Sequence, residues 1–207
     1  MLTLYRVKPS SNVERVALAL SHKGLRAESI WLPFDDRTEA RKVSGQDLVP
    51  VLLDDGKVVI DSMEIVRYLE ERFPGTPPLY PRDVARRAEC LIFIDWFNRV
   101  WKRPPNDIKT ELEKPERDRD MVRVQRLGKA MQDSLDLFEQ MLTGRDHLQG
   151  EFSAADVCAF PFVKYASLHD PKDPHLFHKI LADFQKPGST HPNLLKWIAR
   201  VDERPRV

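Results

Sequence analysis

The chain has 207 residues, of which 42% are hydrophobic and 31% charged, as expected for a globular protein with one large or two small domains. Its 33 basic and 32 acidic residues leave a net charge of +1, so charge gives no support for nucleic-acid binding. No apolar run approaches the roughly 18 residues of a membrane span, and the start MLTLYRVKPS is too polar for a secretory leader, so we expect a cytoplasmic protein.

The first segment predicts a strand, a helix and a second strand. Residues 2–5 alternate between apolar and other side chains, and a Lys-Pro-Ser-Ser break follows them. The pattern S-x-x-E from Ser11 to Glu14 precedes apolar residues at helical spacing, which predicts a capping box with Ser11 as the cap. Residues 27–31 then read as a strand, and a polar loop or short helix covers residues 32–47.

A β-hairpin is predicted after a Val49-Pro50 dipeptide. A short apolar run at residues 51–53 is followed by Asp55-Gly56 and by a β-branched strand at residues 58–60. Asp-Gly is a strong signal for a two-residue hairpin turn. The predicted order is therefore strand, helix, strand, followed by two hairpin strands. Together with the helix that comes next, this order predicts a thioredoxin-like fold.

That last helix starts at Asp61-Ser62 and continues to Phe73 with apolar residues at helical spacing. Serine is a favoured residue at a helix start, where free N–H groups and the helix dipole attract an anion. A small carboxylate would therefore bind well at this position.

A domain boundary is predicted at residues 75–81, where GTPPLYP carries three prolines in seven residues. Beyond it the periodicity is helical throughout. Residues 82–101 predict a helix that Arg103-Pro104-Pro105 stops, and residues 106–115 form a polar interval. We therefore expect an α/β domain at residues 1–74 and an all-α domain at residues 82–207.

The rest of this domain is also predicted to be helical. Residues 117–142 predict a long amphipathic helix, and the pattern S-x-x-D from Ser153 to Asp156 starts a helix that is apolar almost all round. Cys90 and Cys158 lie in apolar helical patterns without a C-x-x-C pair, so we expect two buried, unreactive thiols.

Two histidines share a predicted helical face in the sequence His175-x-x-His178. No carboxylate or cysteine in the pattern suggests a further metal ligand. We expect surface histidines and no metal site.

The N-terminal motifs closely resemble those of glutathione transferases, and C-terminal motifs extend the resemblance to nearly the whole chain. The matching residues are Val49-Pro50-Val51-Leu52, Asp61-Ser62, Ile65, Tyr68-Leu69, Phe73-Pro74, the stretch FSAADVCAFP, and the closing residues His191 to Trp197 with Arg204-Pro205. The resemblance implies an α/β N-terminal thioredoxin-like domain plus an all-α C-terminal domain, with glutathione as co-substrate.

The resemblance also implies the residues that bind glutathione. The bond before Pro50 is expected to be cis, with the backbone of Val49 facing the cysteinyl part. Asp61 and Ser62 are expected to hold the γ-glutamyl amine and carboxylate. The polar loop is expected to face the glycyl carboxylate, with Gln46 and one cation as candidates. The cation is one of Arg37, Arg41 and Lys42, among which the sequence does not choose.

The sulfur of glutathione should approach the start of the first helix, at Ser10, Ser11 and Asn12. A free thiol titrates near about 8.5, so a hydroxyl that donates a hydrogen bond to the thiolate raises the reactive fraction. Ser10 matches the serine of tau- and zeta-type members, and the doublet looks most like zeta, although Asn12 departs from that class. Because Ser11 is expected to cap the helix, Ser10 is the preferred donor, Ser11 the second, and Tyr5 a weaker rival.

The predicted function is a serine-type glutathione transferase that attacks a small electrophile, or uses glutathione for isomerisation or dehalogenation. Trp96 and Trp101 are candidates for the wall that binds this substrate between the domains, although an aromatic stripe at this spacing also fits a core. The family resemblance implies a homodimer with a role in detoxification. The alternatives are a non-catalytic binding or partner-interaction protein of the same fold, and an enzyme that uses another low-molecular-weight thiol.

Overall fold

A mixed four-stranded sheet forms the base of the first of two units in a computed structural model that describes residues 1–207. The strands are β1 (Leu2–Arg6), β2 (Glu28–Trp31), β3 (Val51–Asp54) and β4 (Lys57–Ile60), in the order β2-β1-β3-β4. β2 is parallel to β1, and β3 is antiparallel to both of its neighbours. At the hairpin, Asp55 and Gly56 have φ values of 45° and 91°, as the sequence predicts for this turn.

Three helices complete this unit: α1 (Ser11–His22), α2 (Thr38–Ser44) and α3 (Ser62–Arg72). α1 and α3 pack against each other. The core between them and the sheet contains fully buried aliphatic side chains, among them Leu4, Leu20, Leu52, Ile65 and Leu69. The element order β1-α1-β2, then β3-β4-α3, confirms the predicted thioredoxin-like fold.

The first unit is larger than the sequence predicts, because it includes residues 1–83 together with residues 204–207. Residues 75–81 were expected to be a linker, but Leu79 and Tyr80 are buried, and the N–H of Leu79 donates to Glu70 at 3.0 Å. Prolines exclude a helix or a central strand at this segment, but they leave it free to pack. At the other end of the chain, Arg206 pairs with Glu14 at 3.0 Å.

The second unit, residues 84–203, is helical, as expected. Its helices are α4 (Val84–Trp96), α5 (Arg103–Leu112), α6 (Met121–Met141), α7 (Ala154–Val163), α8 (Leu176–Asp183) and α9 (Pro192–Asp202). A π-helical segment (Phe97–Trp101) follows α4, and short 3-10 turns lie at Glu116–Asp118 and Lys164–Ala166. None of these helices combines the length and the hydropathy that crossing a bilayer requires.

Because α5 covers Arg103–Leu112, the polar interval at residues 106–115 is mostly helical, which the sequence analysis did not predict. The two prolines lie in its first turn, where a backbone N–H has no intrahelical partner and the fixed φ of proline suits the helix. Pro105, Ile108 and Glu111 form its buried face. Only one of these three residues is aliphatic, so the sequence shows no periodic apolar pattern that would predict this helix.

The core of the second unit is rich in aromatic rings, and Phe138 contacts five of them. α7 is buried along its whole length and begins with the capping box that the sequence predicts. Cys90 and Cys158 are free and 0% exposed, as expected. Burial raises the pKa of the Cys90 thiol to about 12, so this thiol does not offer a reactive thiolate.

Candidate functional site

The start of α1 differs by one residue from the predicted start. Ser10, not Ser11, is the N-cap, and its Oγ accepts the N–H of Val13 at 3.3 Å. Ser11 is the first residue of the helix, and its Oγ is buried without a hydrogen-bond partner. In a Ser-Ser doublet either residue can cap, and the extended backbone of Ser10, with φ −155° and ψ 118°, places its hydroxyl over the helix end.

As the N-cap, Ser10 can still donate its proton to a thiolate. A hydroxyl that accepts one N–H retains its own proton for donation, so capping does not exclude Ser10 from binding a ligand. Ser10 is partly exposed, whereas the hydroxyl of Ser11 is enclosed. Ser10 therefore remains the more accessible donor, for a different physical reason than the sequence suggested.

The start of α3 has an unusual backbone. Asp61 has φ 67°, a left-handed conformation that costs a residue other than glycine roughly 1 kcal/mol or more. Its carboxylate accepts the N–H groups of Met63 at 2.8 Å and Glu64 at 3.2 Å. The N–H of Ser62 is not among the groups that Asp61 caps, and such a group at a helix start is suited to an anion.

Arg15 joins the two helix starts. Its guanidinium is 1% exposed and donates to Ser62 Oγ at 3.2 Å and to Asn12 Oδ1 at 3.4 Å. The Ser62 hydroxyl also lies 3.4 Å from Asn12 Oδ1. A buried positive charge below Ser62 increases the attraction of this region for an anion. The sequence predicts no role for Arg15, because its partner Ser62 belongs to another helix and the only local signal is a charged residue before the apolar run VALAL.

A cavity of about 180 Å³ lies beside these helix starts. Its lining comes from four segments of the first unit: Asn12, Gln46, Leu48, Val49, Pro50, Ile60, Asp61 and Ser62. The five residues expected to bind glutathione from positions 46 to 62 are all among them. Leu48 and Ile60, 70% and 41% exposed, add an apolar wall that the sequence analysis did not identify.

The peptide bond between Val49 and Pro50 is cis, as the resemblance implies. The Lys8–Pro9 bond is also cis, which the sequence analysis did not predict. Val49 lies before β3, which begins at Val51, so its N–H and C=O lie outside the sheet ladder. The backbone of Val49 is therefore available to a ligand at the wall of the cavity.

The three cations of the polar loop have partners of their own near α2. Arg41 pairs with Asp47, and Lys42 pairs with Glu39 at 2.6 Å. Arg37 donates to the carbonyl of Pro33. None of the three cations lines the cavity, and neither does Tyr5, which lies within β1.

The two tryptophans expected to bind the second substrate differ in exposure. Trp101 is 4% exposed, its indole N–H donates to Ser134 Oγ at 2.9 Å, and its ring stacks on Phe97 with centroids 4.5 Å apart. These contacts place Trp101 in the core of the second unit, which leaves little of its surface for a substrate. Trp96 is only partly buried and keeps an accessible face.

The expectation of two surface histidines is wrong for His178, which is 4% exposed. The absence of a nearby carboxylate is also wrong, because Asp173 contacts both His175 and His178. Burial lowers the pKa of His178, against the opposing effect of Asp173. Burial acts to raise the pKa of Asp173, but the His175 N–H and both imidazoles bring it to about 2. Sequence spacing failed here because a loop, not the helix, supplies the carboxylate.

Comparisons with known proteins agree with this geometry. Residues 4–77 match the family model for the glutathione S-transferase N-terminal domain. The chain is 28% identical to glutathione S-transferase GstB of Escherichia coli K12, over all of this chain and 96% of that protein. It is 40% identical to glutathione S-transferase Z1 of Arabidopsis thaliana, over 42% of this chain and 41% of that protein.

A solved structure extends the similarity to the whole fold. The theta-class glutathione S-transferase of Xanthomonas axonopodis pv. citri, solved with glutathione bound, superposes with a TM-score of 0.72 at 25% identity. The superposition covers 99% of this chain and 93% of that one. Residues 4–77 therefore match the glutathione S-transferase N-terminal domain, and the whole chain is similar in sequence and fold to glutathione S-transferases.

Proposed function

We propose that this protein is a serine-type glutathione transferase, in which the hydroxyl of Ser10 stabilises the glutathione thiolate for attack on a small electrophile. The observation that supports this most is the cavity lined by Asn12 in the first turn of α1, by Asp61 and Ser62 at the start of α3, and by the segment before β3. Ser10 does not itself line the cavity but lies two residues before Asn12. Each of these three elements offers a different kind of group to one small peptide.

The γ-glutamyl end of glutathione carries both an ammonium and a carboxylate. The exposed carboxylate of Asp61 suits the ammonium, while the Ser62 hydroxyl, its N–H and the buried Arg15 suit the carboxylate. Both charges of the ligand would then be matched within one helix start.

The rest of the peptide would extend along the same wall. The backbone of Val49, before the cis Pro50, pairs with the cysteinyl backbone in this proposal. Gln46 lies at the same cavity and is the candidate for the glycyl end. Leu48 and Ile60 exclude water from the bound backbone, which strengthens its hydrogen bonds.

Ser10 would act on the sulfur. A hydrogen bond to a charged group contributes about 1.5–3 kcal/mol, which lowers the thiol pKa by about 1–2 units. The N–H of Val13 holds the Ser10 oxygen in place, so less side-chain freedom is lost when the hydroxyl donates its proton to the thiolate. The N-terminal end of α1 adds a favourable dipole. Neither cysteine of the chain competes as a nucleophile, because both are 0% exposed.

The proposal is tested by comparing Ser10→Ala with Ser11→Ala. Titration calorimetry measures glutathione binding, ultraviolet absorbance of the bound thiolate gives its pKa, and conjugation of chlorodinitrobenzene gives kcat/KM. We expect Ser10→Ala to retain glutathione binding, to raise the thiol pKa by about 1–2 units and to lower kcat/KM by about 10- to 100-fold. Ser11→Ala should retain all three properties.

Two results would contradict the proposal in different ways. If Ser11→Ala loses activity and Ser10→Ala does not, the enclosed hydroxyl of Ser11 is the donor. If the wild-type protein fails to bind glutathione at millimolar concentration, the chain is a non-catalytic protein of this fold or uses another thiol. A panel of small thiols that carry a γ-glutamyl group separates these last two cases.

A further inference from the structure

Asp173, His175 and His178 form a compact cluster in the second unit. The Nδ1 atom of His175 lies 2.8 Å from Asp173 Oδ1, and the Nδ1 atom of His178 lies 2.6 Å from Asp173 Oδ2. One carboxylate therefore faces an imidazole nitrogen with each of its two oxygens. One ligand atom from each of the three residues can be chosen so that all three lie within 4.8 Å of one another.

The cluster is held in a defined arrangement. The backbone N–H of His175 donates to Asp173 Oδ1 at 2.9 Å, and Pro174 stiffens the link between the two residues. The ring of His178 stacks on Tyr165 with centroids 4.5 Å apart and an angle of 21° between the planes. Backbone and ring contacts of this kind orient metal ligands in advance of binding.

The charge of the cluster is not balanced by a basic side chain. Asp173 is 15% exposed, and its ion-pair partners are the two histidines, with no lysine or arginine among them. A hydrogen bond from the backbone N–H of His175 and contacts with both imidazoles hold the carboxylate in place. Two imidazole nitrogens and a carboxylate are thus held close together, and this is a donor set that suits a transition-metal ion.

We propose that Asp173, His175 and His178 bind a divalent transition-metal ion, with Zn²⁺ as the best-suited probe, through two nitrogens and one oxygen. Zinc–nitrogen and zinc–oxygen bonds of about 2.0–2.2 Å place tetrahedral ligand atoms about 3.3 Å apart. The contact between the liganding carboxylate oxygen and its imidazole nitrogen, now 2.8 Å for His175 or 2.6 Å for His178, would need to lengthen by about 0.5–0.7 Å. The proton of each ring moves to Nε2, so that the Nδ1 lone pair is free.

The donor set indicates the class of metal. Two imidazoles and one carboxylate suit Zn²⁺, Co²⁺, Ni²⁺ and Cu²⁺, whereas Mg²⁺ and Ca²⁺ prefer oxygen ligands alone. Three protein ligands leave a fourth position for water. The bound ion would connect the loop at residues 170–175 to the first turn of α8. We therefore expect the ion to stabilise the fold.

The proposal is tested on untagged, full-length protein after chelation and dialysis. Titration calorimetry with Zn²⁺ and the visible spectrum with Co²⁺ are recorded for wild type, Asp173→Asn and His175→Gln. His169→Gln is the matched control, because His169 lies near the cluster in sequence but is not part of it. Circular dichroism confirms that each variant is folded.

We expect one Zn²⁺ per wild-type chain with micromolar affinity, a tetrahedral Co²⁺ spectrum, and a higher Tm with Zn²⁺ than without. Asp173→Asn and His175→Gln should weaken binding at least about tenfold and remove the shift in Tm, while His169→Gln should behave like wild type. No stoichiometric binding by wild type would overturn the proposal. Equal binding by wild type and the two cluster variants would also overturn it, because the ion would then lie elsewhere.

Discussion

The starts of α1 and α7 carry the same sequence signal but use it differently. Each has a serine followed three residues later by an acidic residue, Ser11 with Glu14 and Ser153 with Asp156. In α7 the box is complete, because Ser153 Oγ accepts the N–H of Ala155 and Asp156 accepts that of Ser153. In α1 the cap moves to Ser10, and Glu14 pairs with Arg206 instead.

The start of α7 is structural, whereas the start of α1 has polar groups that a ligand can use. Asp156 is 0% exposed and also accepts the N–H of Leu148 and the indole N–H of Trp197. Its oxygens are occupied by the protein itself. At the start of α1, the Ser10 hydroxyl accepts one N–H and keeps a proton to donate, and the Ser11 hydroxyl has no hydrogen-bond partner. Buried polar groups are nearly always satisfied in folded proteins, so such a departure often marks a site of function.

The largest effect is expected from Asp156→Ala, because it leaves several buried donors without an acceptor. Each unsatisfied group costs about 1–3 kcal/mol, so the free energy of unfolding should fall by about 3 kcal/mol or more. Urea denaturation followed by tryptophan fluorescence measures the change, with exposed Glu151→Ala as the control. A loss below about 1 kcal/mol would mean that water replaces the carboxylate and that the α7 start is less closed than described.

An intermediate loss of stability is expected when either capping serine, Ser10 or Ser153, is replaced by alanine. Loss of a serine cap costs about 1 kcal/mol, with a range of about 0.5–2. Ser153→Ala should lie at the upper end, because its helix start is buried, and Ser10→Ala at the lower end, because Ser10 is partly exposed. Thermal unfolding shows which of the two alanine variants loses more stability. Ser10→Thr and Ser153→Thr are the conservative controls. The reverse order would show that α1, not α7, depends more on its cap.

The smallest effect is expected from Ser11→Ala. Since the hydroxyl has no partner, its removal should leave the free energy of unfolding unchanged or raise it by up to about 1 kcal/mol. The same urea titration measures this, and Ser11→Cys provides a control of similar volume. A loss of more than about 1 kcal/mol would show that Ser11 makes a hydrogen bond within the folded protein, and the contrast between the two helix starts would then be weaker.

Much of the first unit could be predicted from sequence because its signals are local. Asp55-Gly56 determines the hairpin turn, and Asp61-Ser62 lies directly before the periodic residues of α3. The choice between Ser10 and Ser11 could not be made locally, because both fit a capping pattern and the backbone shift is one residue. Arg15 shows its role only when α1 and α3 pack together.

The second unit contains failures of a different kind. α5 was missed because two prolines read as a stop when they are in fact at a start. The cluster at Asp173 was missed because its carboxylate comes from a loop that helical spacing does not describe. In both cases the residues concerned are close in sequence: Pro104-Pro105 fits the start of a helix as well as its end, and Asp173 lies two residues before His175.

The left-handed backbone at Asp61 limits how that position can be studied. Replacement by alanine would change three properties at once: the tolerance for positive φ, the acceptor for two N–H groups, and the charge offered to a ligand. Asparagine keeps the first two and alters only the charge, which makes it the interpretable substitution. Mutational surveys that score this residue by alanine alone would confound folding with recognition.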